Sequence, residues 1–263
     1  MTSYQMDDLL AIMARLRDPE QGCPWDIKQT FRSIVPYTLE EAYEVADAIE
    51  RQSYDELKDE LGDLLFQTVF YARIAEEEGR FQFKDCVQAI CDKLVRRHPH
   101  VFAESAGNHS VENAEQVLQN WEALKSEERK ASGKHSVLDN IPAAMPALSR
   151  AYKLQKRCAN VGFDWSDVAG AWDKVKEEVA EVEELPADSP ALAEELGDLL
   201  FALVNVIRKH KLEPEGVLRQ ANSKFERRFR AVEAELAKLG KAPQQSDLIE
   251  MDALWEKVKR QAR

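Results

Sequence analysis

The stretches "LEEAYEVADAIE" (Leu39–Glu50) and "ELGDLLF" (Glu60–Phe66) decide how this chain is read. In the first, Glu40, Glu41 and Glu44 gather on one helical face, because residues three and four apart are neighbours on a helix. In the second, Glu60 and Asp63 share a face at the head of an apolar helical run. Like charges at that spacing repel by roughly 0.2–0.5 kcal/mol per exposed pair. The arrangement therefore calls for a neutralising partner or for full solvation. The chain then does it again, with "KEEVAEVEE" (Lys176–Glu184) and "ELGDLLF" (Glu195–Phe201).

Outward from these stretches, almost everything reads as helix. Apolar residues at Leu57, Leu61, Leu64, Leu65, Val69 and Ile74 recur at helical spacing and predict a helix over Tyr54–Glu77. Others are expected over Leu9–Leu16, Thr38–Arg51, Phe83–Arg97 and Glu115–Lys130. Thr38 is the expected N-cap of its helix, with Glu41 completing a capping box. Arg17–Asp26 and Ala103–Asn113 read as loops, and "KASGKHS" (Lys130–Ser136) as a linker. The two halves superpose by sequence. Leu10 and Leu16 fall on Leu148 and Leu154, "CPWD" near "GFDW", and Lys93 and Arg97 on Lys224 and Arg228. "WEALK" (Trp121–Lys125) falls on "WEKVK" (Trp255–Lys259). The expectation is an all-α fold of tandem duplicated helical-bundle domains, residues 1–135 and 136–263, each of ordinary domain size. Two copies of that length are not a solenoid.

Composition narrows the function. The formal net charge of −12 over 263 residues argues against a basic nucleic-acid or membrane-surface binder. No apolar run approaches the roughly 20 residues of a membrane span, and "MTSYQMDDLL" does not read as a signal peptide. Cys23, Cys86, Cys91 and Cys158 form no C-x-x-C, which points to reduced thiols and a cytoplasmic protein. The five histidines complete no zinc spacing.

The acidic motif carries the chemistry. Glu178 and Glu181 share one helix face, and Glu195 and Asp198 share the next. Antiparallel packing of the two helices brings four carboxylates together, and a cation is then needed to keep them ionised. Oxygen-only ligands select a hard cation, Mg²⁺ first and Mn²⁺ second. Glu41, Glu44, Glu60 and Asp63 make the same set in the first copy. A lone ExxE is usually a solvated surface; the pairing, its repetition and the apolar "LLF" after each acidic pair argue against that here. Gly62 and Gly197, each unfavourable inside a helix by about 1 kcal/mol, suggest close approach of something.

Two further pairs recur. Lys224 with Arg228, like Lys93 with Arg97, puts two cations on one face, which suits a phosphate. Trp255 with Lys259, like Trp121 with Lys125, offers a ring for a base and a cation near it; a purely structural role for the tryptophans is the alternative. Trp25 and Trp165 read as loop plugs over the core. Together the features describe a nucleoside polyphosphate site, and no Walker or Rossmann glycine motif is present.

At this point the chain resembles a known family. "EEAYE" with "ELGD", and "EEVAE" with "ELGD", match the E-E-x-x-E…E-x-x-D signature of the all-α nucleoside triphosphate pyrophosphohydrolases. "RDPEQGCPWD", "RRHPHVF", "RCANVGFDW" and "KFERRF" are similar to segments of its two-domain MazG type, and the resemblance spans nearly the whole chain. It implies Mg²⁺-dependent hydrolysis of NTPs or dNTPs to the monophosphate and pyrophosphate, with broad base tolerance. It implies a homodimer, and a role in nucleotide-pool control or starvation. Glu178, Glu181, Glu195 and Asp198 are the implied metal ligands, and Lys174, Lys224 and Arg228 the triphosphate contacts. Trp255 is the implied base-stacking ring, with Lys259 nearby. "LPADSPALAE" (Leu185–Glu194) is short against some relatives. Glu177 has two open roles, orienting or deprotonating water, or serving as a further ligand. Lys174 stands three and four residues before Glu177 and Glu178, whereas the first copy has Tyr37 there, so the second copy is the expected main catalytic one. The rivals are a pyrimidine-restricted dUTPase or dCTPase, a di-iron bundle, which lacks its Glu-x-x-His pairs here, and a non-catalytic dimeric scaffold.

Overall fold

The structure is a computed structural model in which residues 3–102, 116, 117, 121, 124, 127, 128 and 136–261 are described. Among them are eleven α-helices and no strand. The residues pack into two units, Met1–Lys125 and Ser126–Arg263, and each is taken by itself. The loop expected at Ala103–Asn113, most of the helix expected over Glu115–Lys130, and all of the expected linker but Ser136 lie outside the described residues.

The N-terminal unit contains α1 (Met6–Leu16), α2 (Pro24–Ile27), α3 (Phe31–Arg51), α4 (Tyr54–Glu77), α5 (Phe83–Arg97) and α6 (Pro99–Phe102). The bounds of α4 and α5 are those the apolar spacing predicts. That of α3 is not: the helix starts seven residues before Thr38. Thr30 is its N-cap, with the Ser33 amide donating to Thr30 Oγ1 at 3.3 Å and the Thr30 amide donating to Ser33 Oγ at 2.9 Å. Pro36 sits inside the helix. It has no N–H to give, so the ladder lacks one bond there, yet the flanking turns carry through. Thr38 is an interior residue whose hydroxyl bonds Ile34 O at 3.2 Å and meets Tyr71 OH at 2.9 Å. The segment expected as a loop at Arg17–Asp26 also holds the first residues of α2.

Two residues join α3 to α4. Gln52 takes the left-handed conformation, φ 58°, and the Ser53 amide returns to Ala48 O at 2.9 Å. So short a link makes the helices antiparallel neighbours. Their shared core is Met13, Ile34, Val69, Phe70 and Ile74. Burial of each such side chain is worth about 1.5–3 kcal/mol. Arg17, at the end of α1, is buried with them. It bonds Glu77 at 2.7 Å and the carbonyls of Asp26 and Gln29 at 2.6 and 3.1 Å, and its guanidinium lies 5.5 Å from the Phe70 ring centre. One charged side chain thus ties α1, the α2 turn and α4 together.

The C-terminal unit contains α7 (Ala147–Ala159), α8 (Val168–Glu184), α9 (Leu192–Lys209), α10 (Pro214–Lys238) and α11 (Leu248–Gln261). Asp167 caps α8 by accepting from the amides of Ala169 and Gly170 at 2.9 and 3.2 Å. Ala171 and Val175 of α8 pack on Ala202 and Val206 of α9. Val232, Leu236 and Val258 join α10 to α11. The "GFDW" loop turns at Gly162, φ 89°. It lays the Trp165 ring so close to Gly170 that a Cβ there would stand 2.3 Å from the indole. Asp164 of the same loop is clamped by Arg208 at 2.6 Å and Lys209 at 2.9 Å.

The close approach expected at Gly62 and Gly197 is not made within either unit. A Cβ at either place meets no atom within 4 Å. Leu61 and Leu65 beside the first glycine, and Leu196 and Leu200 beside the second, are exposed.

Candidate active site

The antiparallel hairpins α3–α4 and α8–α9 bring the acidic pairs together. Carboxylate oxygens of Glu178, Glu181 and Glu195 lie within 4.8 Å of one another, as do those of Glu41, Glu60 and Asp63. Each unit thus gathers three of its four expected carboxylates closely. The fourth is adjacent: Glu44 acts on both Glu41 and Glu60, and Asp198 lines a cavity together with Glu178 and Lys174. Burial, then Asp63, Glu44 and Glu60, push the Glu41 carboxyl above its ordinary range. Desolvation, then Glu44 and Asp63, do the same to Glu60. Glu181 is raised by desolvation, Glu178 and Glu195, with Lys174 pulling the other way.

The two clusters differ in their internal cation. Lys174 Nζ is 2.8 Å from Glu177 Oε1 and 2.7 Å from Glu178 Oε1. Hydrogen bonds to those two carboxylates hold its ammonium charged well above the ordinary lysine range. The spacing places Lys174 on the face of Glu177 and Glu178, and it pairs with both of them one turn along its own helix. Tyr37, in the matching place, meets the Trp25 ring edge-on at 5.7 Å and carries no charge. Glu177 is exposed, whereas Glu178 is only 4% exposed, and its Oε2 has no hydrogen-bond partner. A buried carboxylate oxygen left over in an all-oxygen cluster fits a hard divalent cation.

The remaining candidates form a second group. On α10 and α11, Arg228 lies 6.0 Å from the Trp255 ring centre and Phe225 lies 5.2 Å from it. Trp255 is half-buried, packed with Val232, Leu236 and Val258. Lys259 pairs with Glu256 at 2.9 Å, and Lys224 is exposed. Lys224, Arg228, Trp255 and Lys259 do not line the cavity beside Glu178. In the first unit Lys93 is exposed, Arg97 is half-buried, and the Trp121 ring is 5.6 Å from His98; Lys125 is outside the described residues. Trp25 and Trp165 are each nearly half exposed. Trp165 belongs to the wall of the cavity rather than to a plug over the core.

That cavity, of about 480 Å³, is the feature the sequence reading missed. Leu154, Phe163, Trp165 and Phe201 give it apolar walls, and Gln155 and Asn205 add buried amides. Its only trace in the sequence is a difference between the copies. Gln155 and Asn205 align with Arg17 and Phe70, residues that no motif singles out.

Comparison with known proteins agrees with this arrangement. Residues 29–102 and 167–232, one segment in each unit, match the model of the MazG nucleotide pyrophosphohydrolase domain. The chain is 56% identical over 261 residues to a nucleoside triphosphate pyrophosphohydrolase of Escherichia coli, covering 98% of each chain. It is 42% identical over 253 residues to the nucleoside triphosphate pyrophosphohydrolase/pyrophosphatase MazG of Thermotoga maritima, covering 96% of this chain and 95% of that one. A relative in Mycolicibacterium smegmatis, also named nucleoside triphosphate pyrophosphohydrolase, is 39% identical over 158 residues, 59% of this chain and 46% of its own. With two acidic helical hairpins matched and full-length relatives of this kind, the chain belongs to the MazG nucleotide pyrophosphohydrolase family.

Proposed function

We propose that the chain hydrolyses nucleoside triphosphates or their deoxy forms to the monophosphate and pyrophosphate, with broad base tolerance. The carrying observation is the convergence of Glu178, Glu181 and Glu195 beside a cavity that Asp198 and Lys174 also line. The names of the full-length relatives point the same way. Residues 1–135 and 136–263 are the two domains of this reading, and the second is the catalytic one.

Glu178, Glu181, Glu195 and Asp198 hold the cation, Mg²⁺ before Mn²⁺, since every donor is a carboxylate oxygen. Bound there, the cation supplies charge neutralisation and a more acidic water for attack at phosphorus. Lys174, paired with Glu178 at 2.7 Å, shares its charge with the incoming phosphates. Glu177, exposed beside Lys174, orients the attacking water or accepts its proton. Lys224 and Arg228 grip the triphosphate, and Trp255, with Arg228 beside it, is the ring on which the base stacks. Lys259 adds positive charge at the end of α11. In the first unit Glu41, Glu44, Glu60 and Asp63 form a second cation cluster, with Lys93, Arg97, Trp121 and Lys125 as the matching set. The exposed Leu61, Leu65, Leu196 and Leu200 suit a homodimer, and the four free cysteines suit the cytoplasm. Among the described residues no helix is long and apolar enough to cross a membrane.

The test is purified protein with Mg²⁺ and a panel of ribo- and deoxyribonucleoside triphosphates, followed by phosphorus NMR. Monophosphate and pyrophosphate are the expected primary products from all bases. Orthophosphate with a diphosphate overturns the reaction, and turnover of pyrimidines alone overturns the broad specificity.

A further inference from the structure

We infer that Gln155 is a positioning residue of the cation site, its buried Oε1 accepting a hydrogen bond from a water of the cation's hydration shell. This rests on the reading that Glu178, Glu181, Glu195 and Asp198 hold the cation. Among the described residues of the C-terminal unit, two buried side-chain oxygens have no hydrogen-bond partner, Gln155 Oε1 and Glu178 Oε2. Both side chains line the same cavity, with Asp198 and Lys174. Gln155 is 8% exposed and Glu178 4%.

The orientation of the amide follows from its partner. Gln155 Nε2 donates to the carbonyl of Phe201 at 2.8 Å. Turned over, it would set two acceptors face to face, so Oε1 is the free acceptor. Phe201 stands one turn after Asp198 on α9, and α7 therefore delivers that acceptor one turn from the acidic cluster. Two acceptors cannot satisfy one another; the carboxylate oxygen takes a cation, and the amide oxygen takes a donor. A hard divalent cation held by a few carboxylates keeps several of its waters, and these are donors. Partners of this outer kind orient what a metal holds. The cavity, of about 480 Å³, has room for such a water. The side chains of Leu154 and Phe201 offer it nothing, and Asp164 and the Asn205 oxygen are already taken by Arg208.

The first unit also pairs its cluster with an unmet amide. Arg17, at the place aligned with Gln155, offers donors only and is tied to Glu77 and to the Asp26 and Gln29 carbonyls. The amide comes instead from Gln67, 6% exposed, whose Oε1 has no partner. Gln67 lies one turn after Asp63 on α4, on the face of Glu60 and Asp63, and helical side chains lean back toward the N-terminus. The two units thus reach one combination, carboxylates with a buried free amide oxygen, from different helices. A packing accident in one unit would not recur in the other.

The experiment is titration with Mn²⁺ in the absence of nucleotide, the free ion being counted by electron paramagnetic resonance. The background chain carries Glu41→Gln with Glu44→Gln, so that the second cluster alone is read. On that background Gln155→Met keeps the volume and removes both amide atoms. Gln155→Glu keeps an acceptor but loses the amide donor to Phe201. The expected result is about tenfold weaker Mn²⁺ binding in Gln155→Met and binding at least as tight as the background chain's in Gln155→Glu. If Gln155 only braced the Phe201 carbonyl, both variants would lose the ion alike, and that result overturns the inference. Unchanged Mn²⁺ binding in Gln155→Met also overturns it. If Gln155→Met does not fold by circular dichroism, Gln155→Glu decides, and weaker binding there overturns the inference. Retention of Mn²⁺ by Glu178→Gln with Glu181→Gln overturns the cation reading and this inference with it. A chain that shows the expected pattern yet releases no pyrophosphate from ATP overturns the activity and leaves the part of Gln155 standing.

Discussion

Lys174 Nζ lies 2.7 Å from one oxygen of Glu178, while the other oxygen of that buried carboxylate has no partner. The C-terminal cluster is partly neutralised by its own helix. Replacing Lys174 with Met removes that internal cation, and leaving a buried acceptor unmet costs about 1–3 kcal/mol. In chelator, Lys174→Met is expected to melt earlier than the parent, and Mg²⁺ should recover most of the difference. An unchanged melting temperature in chelator would show that Lys174 does not serve Glu178.

The acidic clusters set a pH dependence. Glu41, Glu60 and Glu181 have folded pKa values above their unfolded ones, through desolvation and then neighbouring carboxylates. Their contribution is fully present below the unfolded carboxylate pKa and is lost as the pH rises through the raised folded values. A bound cation removes that loss. The gap between melting temperatures in Mg²⁺ and in EDTA should therefore widen as the pH rises from about 4 to 7. EDTA should abolish turnover and leave the far-ultraviolet helical signal in place. A gap that narrows over this range contradicts the account.

Glu77 behaves in the opposite sense. Burial alone would raise it, but hydrogen bonds and charge from Arg17 and Arg73 outweigh burial and lower it. Its contribution is present above the unfolded carboxylate pKa and is lost as the pH falls through the depressed folded value. Arg17→Met leaves the part-buried Glu77 with Arg73 alone and unties the Asp26 and Gln29 carbonyls, and is expected to destabilise the N-terminal unit by about 3 kcal/mol. Calorimetry should show the shift in one transition only, with pyrophosphate release at 25 °C unaffected.

The two clusters are separable by matched variants. Glu178→Gln with Glu181→Gln should reduce turnover by about a hundredfold or more. Glu41→Gln with Glu44→Gln should leave it near that of the parent. Equal losses from the two double variants would make the copies equivalent and remove any special part for Lys174.

Much of the architecture was legible from periodicity. The bounds of α4 and α5, the helical class and the acidic pairing follow from spacing along single helices, which a sequence displays directly. The start of α3 was not, because Pro36 and the plausible cap at Thr38 mimic a helix boundary. The choice of Thr30 depends on Ile34 packing into the core and on Tyr71 claiming the Thr38 hydroxyl. Gly62 and Gly197 looked like contact points, and which surfaces meet them is not written in local pattern. Lys174 was placed on the face of Glu177 and Glu178, and it pairs with both carboxylates there. Gln155 and Asn205 passed unnoticed, because a buried unmet amide is a property of three helices together.

The unequal pairing of the two acidic clusters has a stoichiometric consequence. Because "ELGDLLF" is identical in both halves, counting carboxylates gives two cation clusters per chain. The internal ammonium, that of Lys174, stands in one of them alone. Saturation should then take more equivalents of divalent ion than of nucleotide.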